Sequence, residues 1–137
     1  IMFGLTLSKN VKGLLAGVVL FLALDAVYLG STSGMWNELL IRVTGEKIHF
    51  RVMYAVACYL LILGSWYYFI FLQFKSHKNI KKSVMDAAIL GFATYGIYET
   101  TNAAIMRNWQ FKYVVMDTLW GTTLYSAVTF LTLRALN

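Results

Sequence analysis

The sequence predicts an all-α fold, a four-transmembrane-helix bundle with a short interfacial helix in the first outer loop, built as a single integral membrane domain over residues 1–137. Three observations carry that reading. Of the 137 residues 59% are hydrophobic and only 13% charged, and the mean hydropathy is +0.63, too apolar for a soluble domain of this length. The apolar residues fall in stretches of about 20 that run almost without charge, the length a helix needs to cross a hydrocarbon core of ~30 Å. Finally, 16% of the residues are aromatic, including nine Tyr and four Trp, which suits helices anchored at a lipid interface and packed ring against ring.

The four spans are expected at 13–30, 52–74, 84–106 and 113–133. No Pro is present, so any kink would come from Gly64, Gly91, Gly96 or Gly121, and small residues there are better read as places where helices approach closely. Between the first two spans, residues 31–50 are long enough for a further element. Met35, Trp36, Leu39, Leu40 and Val43 fall near one face of a helix, with Asn37, Glu38 and Arg42 elsewhere. An interfacial helix capping the bundle and ended by Gly45 is therefore expected.

Orientation follows from the basic residues, since positively charged loops stay on the cytoplasmic side. Lys9, Lys12, Lys75, Lys78, Lys81, Lys82 and Arg134 fall on one side, and Arg42, Lys47, Arg51, Arg107 and Lys112 on the other. With seven of the twelve bases on the first side, four of them in one loop, both termini are placed in the cytoplasm. The same distribution argues against nucleic acid as the partner of a chain with net charge +6, because the bases flank apolar segments instead of sharing one soluble face. The lipid bilayer is the expected partner. The sequence opens Ile1-Met2, which leaves the native start at Met2 or upstream; the first span, holding Asp25, does not read as a cleavable leader.

Four of the six acidic residues, Asp25, Asp86, Glu99 and Asp117, lie inside expected spans. Carboxylates in hydrocarbon are costly, so they face the bundle interior, find partners and mark functional sites. With a 1.5 Å rise per residue and alternating helix directions, Asp25 stands roughly 20 Å and Glu99 roughly 22 Å above the inner face, and Asp117 about 6 Å below the outer end of its helix. All three converge on the outer half. Asp86 instead falls in the first turn of the third span beside the four-Lys loop, where the helix dipole and a neighbouring Lys suit it, a structural role.

Other polar and aromatic side chains gather at the same height. Tyr28 is on the first span, Tyr95, Tyr98, Thr101 and Asn102 on the third, Trp120, Thr122 and Thr123 on the fourth, while the second offers Tyr54, Cys58 and Tyr59. Tyr95, Glu99 and Asn102 stand at i, i+4 and i+7 on one stripe, and Asp117 with Trp120 is an i, i+3 pair. The candidate substrate- or ion-binding set is thus Asp25, Tyr28, Tyr95, Glu99, Asn102, Asp117 and Trp120. Arg51 is the expected counter-ion for one acid and Arg107 the other candidate. Leu24-Asp25-Ala26-Val27-Tyr28 echoes Met116-Asp117-Thr118-Leu119-Trp120 on the first and last helices. Such a pattern could be presented pseudo-symmetrically, although coincidence carries more weight in so biased a composition. Cys58 reads as a small core residue. Buried polar groups can also act only as interhelical glue, worth about 0.5 to 2 kcal/mol each, but three acids at one depth with few bases exceed that need.

The same residues resemble a known family of bacterial and viral membrane proteins, domain-of-unknown-function family 2177, over nearly the whole chain. The resemblance rests on Leu24-Asp25-Ala26-Val27-Tyr28-Leu29-Gly30, Ala93-Thr94-Tyr95, Tyr98-Glu99-Thr100-Thr101-Asn102, Trp109, and Val115-Met116-Asp117-Thr118-Leu119-Trp120-Gly121-Thr122. The chain departs from the family pattern at Glu99, where Asp is usual, at Tyr28, where Trp is usual, and at Gln110, where Pro commonly stands. Glu99 keeps the acid and lengthens it by one methylene. The resemblance implies the fold and the positions and brings no established activity.

Two classes of function follow. A small transporter or channel would bind a proton, a small cation or a cationic solute at Asp25, Glu99 and Asp117, and as four helices enclose little space a homo-oligomer is expected. The alternative is a membrane enzyme acting on a lipid or hydrophobic substrate, or a non-catalytic assembly subunit. No HExxH, nucleophile elbow or phosphate loop occurs in the sequence, so no catalytic residue is assigned. His49 and His77 fall on opposite expected faces, so no metal site is expected, and without a His inside a span no haem or other cofactor is expected either.

Overall fold

A computed structural model describes residues 8–137, all of whose regular elements are helical. Helix α1 spans Lys9–Thr44, α2 Val52–Trp66, α3 the single turn Phe74–His77, α4 Ile80–Ile105 and α5 Phe111–Leu136, with a π-helical segment at Tyr67–Phe71 continuing α2. By length and composition two helices, Lys9–Thr44 and Val52–His77, are apolar enough to cross a membrane. Helices α4 and α5, of 26 residues each, are long enough but carry more polar side chains.

Local chemistry sets most boundaries. The Ser8 side chain accepts from the Val11 amide at 3.2 Å, capping α1, and Asn79 accepts from Lys82 at 3.2 Å to start α4, each satisfying an orphan amide of a first turn. Gly45, at φ 82°, closes α1 with its amide on the Ile41 carbonyl, a left-handed cap that favours glycine. That end was expected. The continuity before it was not: α1 runs through residues 30–34 without a break, so the segment expected as a separate interfacial helix is the last third of one 36-residue rod, ~54 Å long. Ser31 and Thr32 donate to the Val27 and Tyr28 carbonyls at 2.7 Å, which keeps their hydroxyls satisfied inside the helix. Tertiary packing does the rest, because the face read from the sequence is buried: Leu39 forms a core with Trp109 and Tyr113, flanked by Met35, Trp36, Leu40 and Val43.

The second span was expected as one regular helix over 52–74. Instead the ladder widens at Tyr67–Phe71, where the Leu72 amide reaches back to the Tyr67 carbonyl at 2.9 Å. A π turn inserts about one extra residue into the helix, and here it turns Trp66, Ile70 and Phe71 together toward the core.

Helices α4 and α5 form the most extensive contact, an antiparallel hairpin against which α1 packs along α5. A Cβ at Gly91 would run into the Gly121 carbonyl, and one at Gly121 into the Tyr95 ring, so these glycines are what bring the two backbones together. Gly64, grouped with them from the sequence, has open space beside it. The main core, Phe21, Ile62, Leu63, Trp66, Ile70, Phe71, Ala87, Leu124, Tyr125, Val128 and Leu133, occupies the half of the bundle near the start of α1, the end of α5 and α3, the terminal end. The opposite, loop end holds the α1–α2 and α4–α5 connections.

Candidate functional site

The register of the α4–α5 hairpin assembles the acids. With the Tyr95 ring lying over Gly121, Glu99, one turn further along α4, comes opposite Asp117, one turn before Gly121 on α5. On the other side α1 runs antiparallel to α5 and brings Asp25 and Tyr28 to Trp120 and Asp117. Asp25, Glu99 and Asp117 are 5%, 0% and 7% exposed. Burial to this degree demands partners for every oxygen.

Those partners are aromatic. Trp120 donates its indole N–H to Asp25 at 3.0 Å, and the Tyr59 hydroxyl donates to the other oxygen of the same carboxylate. The Tyr28 hydroxyl donates to Asp117 at 2.9 Å, and the Trp109 indole to Glu99 at 2.9 Å. The echo between the first and last helices thereby acquires a geometry. In each, the aromatic residue three positions after the Asp donates to the Asp of the other helix, and the two rings, Tyr28 and Trp120, stack at 4.6 Å and 3°. The result is a reciprocal clasp between antiparallel helices.

Of the seven candidate residues, Asp25, Tyr28, Glu99, Asp117 and Trp120 are joined by direct hydrogen bonds or ring contact, Tyr95 packs beneath them on Gly121, and Asn102 is buried one turn beyond Glu99. Other expected members do not join. Thr122 and Thr123 donate at 2.9 Å to carbonyls of their own helix, and Tyr54, Tyr98 and Thr101 are exposed. Cys58, expected in the core, is exposed as well, because no residue of α2 before Tyr59 is buried in the bundle. Nor is Arg51 a counter-ion: its guanidinium lies over the Tyr54 ring at 4.4 Å, a cation–π contact that keeps the charge at the surface. Among the described residues the ion pairs are His49 with Glu46 and Lys82 with Asp86, so no base neutralises the three acids. Asp86 pairs with Lys82 at 2.8 Å, as its structural role requires. Because α4 begins four residues earlier than expected, at Ile80, Asp86 falls in the second turn, where the dipole contributes little.

Two donors of the site were absent from the candidate set. Tyr59 was noted only for its height. Trp109 lies outside any span, ten residues from Glu99, and its signal was its place in the family resemblance. It reaches the acid because Asn108 takes up φ 75°, a left-handed turn that Asn tolerates, and the chain doubles back at the loop end. Trp36 closes over it, 6.4 Å from the Trp109 ring and 5.7 Å from that of Tyr113, with its own N–H on Thr32 at 3.1 Å.

Chemically, the arrangement is a buried acidic site with neutral hydrogen-bond donors and one unfilled position, since Glu99 Oε2 is buried and has no hydrogen-bond partner. Among the described residues no group of three or more His, Cys, Asp or Glu is placed to hold a metal ion. No curated protein and no solved structure was found to match the chain. A family model does match, over residues 10–134, and on that match the chain belongs to domain-of-unknown-function family 2177, described as a predicted membrane protein.

Proposed function

We propose that this protein spans the membrane four times with both termini in the cytoplasm, and that it moves a proton or a small cation by way of the acidic site, which then lies in the outer half of the bilayer. The observation that carries the reading is Glu99 Oε2, a fully buried carboxyl oxygen without a hydrogen-bond partner in a site where no base balances three acids. An orphaned buried acceptor of this kind calls for an occupant, and intramembrane acids facing a bundle interior are where ion and proton pathways run. A single set of four helices encloses little space, so the working unit is proposed to be a homo-oligomer.

The test is flux into liposomes containing the purified protein, at two pH values and with each of several cations, for the intact chain and a folded Glu99→Gln variant. Flux that depends on pH and falls at least tenfold in the variant is the expected result. Silence from folded wild-type protein with every ion would sink the transport reading and leave a lipid-directed enzyme or an assembly subunit.

A further inference from the structure

We propose that the occupant of the acidic site is a single proton held between Glu99 and Asp117, and not a metal cation. This rests on the reading of the pair as an occupied site and names what occupies it.

The donor pattern argues first. Each hydrogen bond to the acids comes from an N–H or O–H of Trp109, Tyr28, Trp120 or Tyr59, which takes up one oxygen each of Glu99 and Asp117 and both of Asp25. Ligand number argues second. Calcium takes 6–8 oxygens and magnesium a near-ideal octahedron, whereas the pair offers Glu99 Oε2 and the Asp117 oxygen that Tyr28 leaves free. The described residues include no further His, Cys, Asp or Glu placed to complete a metal site.

The approach of the two carboxyls argues third. The α4–α5 register that lays Tyr95 on Gly121 also sets the buried Glu99 opposite the buried Asp117, and a single proton lets two facing carboxyl groups meet as O–H···O⁻, a short charge-assisted bond. One proton gives Glu99 Oε2 the partner it lacks and lowers the charge that must be buried with the pair. The titratable groups half-buried or buried around it are Asp25 and Tyr28 from α1, Tyr59, which donates to Asp25, from α2, and Tyr95 from α4. None is a Lys or Arg, so no fixed cation competes with the proton.

Infrared spectroscopy of the full chain in detergent reads the pair directly. The wild type at neutral pH should show one carboxylic-acid C=O band that shifts in D2O, stays unchanged as Na⁺, K⁺, Mg²⁺ or Ca²⁺ is added, and disappears in both Glu99→Gln and Asp117→Asn. A wild type without the band, a band removed by any of these cations, or a band that survives both substitutions would overturn the proposal. Should either variant fail to fold, the cation titration of the wild type still decides. Failure of transport is separable: the cation-insensitive band with silent liposomes upholds the shared proton while ending the transport reading, and metal-ion flux without the band does the reverse.

Discussion

Toward the terminal end, α1, α5 and the end of α2 meet through shape: Phe21 stands edge-on to Trp66 at 5.6 Å and to Tyr125 at 5.2 Å, and a Cβ at Gly17 would press on the Trp66 ring. Toward the loop end the same helices meet through hydrogen bonds to the Asp25 and Asp117 carboxylates, and α2 turns Val52, Met53, Val56, Leu60 and Leu61 outward. One half is thus dominated by apolar contact, whereas the other sets a few hydrogen bonds to buried carboxylates beside the smaller core of Leu39, Trp109 and Tyr113. The difference implies a division of labour, with stability concentrated in the packed half and binding chemistry in the other, as expected when a preorganised site is carried on a rigid scaffold.

The strongest way to break that comparison is Trp66→Ala, which empties the centre of the packed half and removes the indole bond to Thr129 at 2.9 Å. A loss of about 3–5 kcal/mol is expected, measured by reversible unfolding in mixed micelles. A smaller loss than that from any single change in the clasp would contradict the division. Next comes Gly91→Ala, which forces a Cβ onto the Gly121 carbonyl and should cost about 1–3 kcal/mol by overpacking. Because it also separates Glu99 from Asp117, it should weaken whatever the site binds. Gly64→Ala, in open space, is the control and should be stable.

In the polar half, Tyr28→Phe and Trp120→Phe each remove one hydrogen bond while keeping an aromatic ring for the stack, for an expected loss of about 0.6 to 1.7 kcal/mol apiece. A double-mutant cycle should reveal coupling between them, since the two rings are in contact; strict additivity would mean the clasp is two independent bonds. Tyr28→Trp, the residue usual in the family, should retain the clasp. Smallest is Lys82→Ala. It breaks an exposed i, i+4 pair with Asp86, worth about 0.2–1 kcal/mol, and should leave binding at the acidic site unchanged.

Much of this was legible in advance. The acids could be placed at a common height because a helix converts residue number into distance at a constant rate. The stripe of Tyr95, Glu99 and Asn102 could be put on one face because the helical period is equally regular. The buried face of residues 35–43 was readable for the same reason, though not that it prolongs α1, since Gly30 to Gly34 look like a break until the packing of Leu39 on Trp109 and Tyr113 is known. The π turn at Tyr67–Phe71 left no such trace, because an aromatic-rich apolar run has no period to interrupt.

By itself, then, the sequence determined the all-helical chain and the convergence of Asp25, Glu99 and Asp117, which follow from periodicity and composition along single helices, and, through the motifs around those residues, the membrane family. Tertiary structure alone decided which donor meets which acid. The rotation of one helix against the next is set by close approach at Gly91 and Gly121 and by the backward turn at Asn108, and only that rotation pairs Tyr28 with Asp117, Trp120 with Asp25 and Trp109 with Glu99. It likewise sends Arg51 to Tyr54 and Cys58 outward, because height along a helix is a local property whereas the choice of partner belongs to the packed whole.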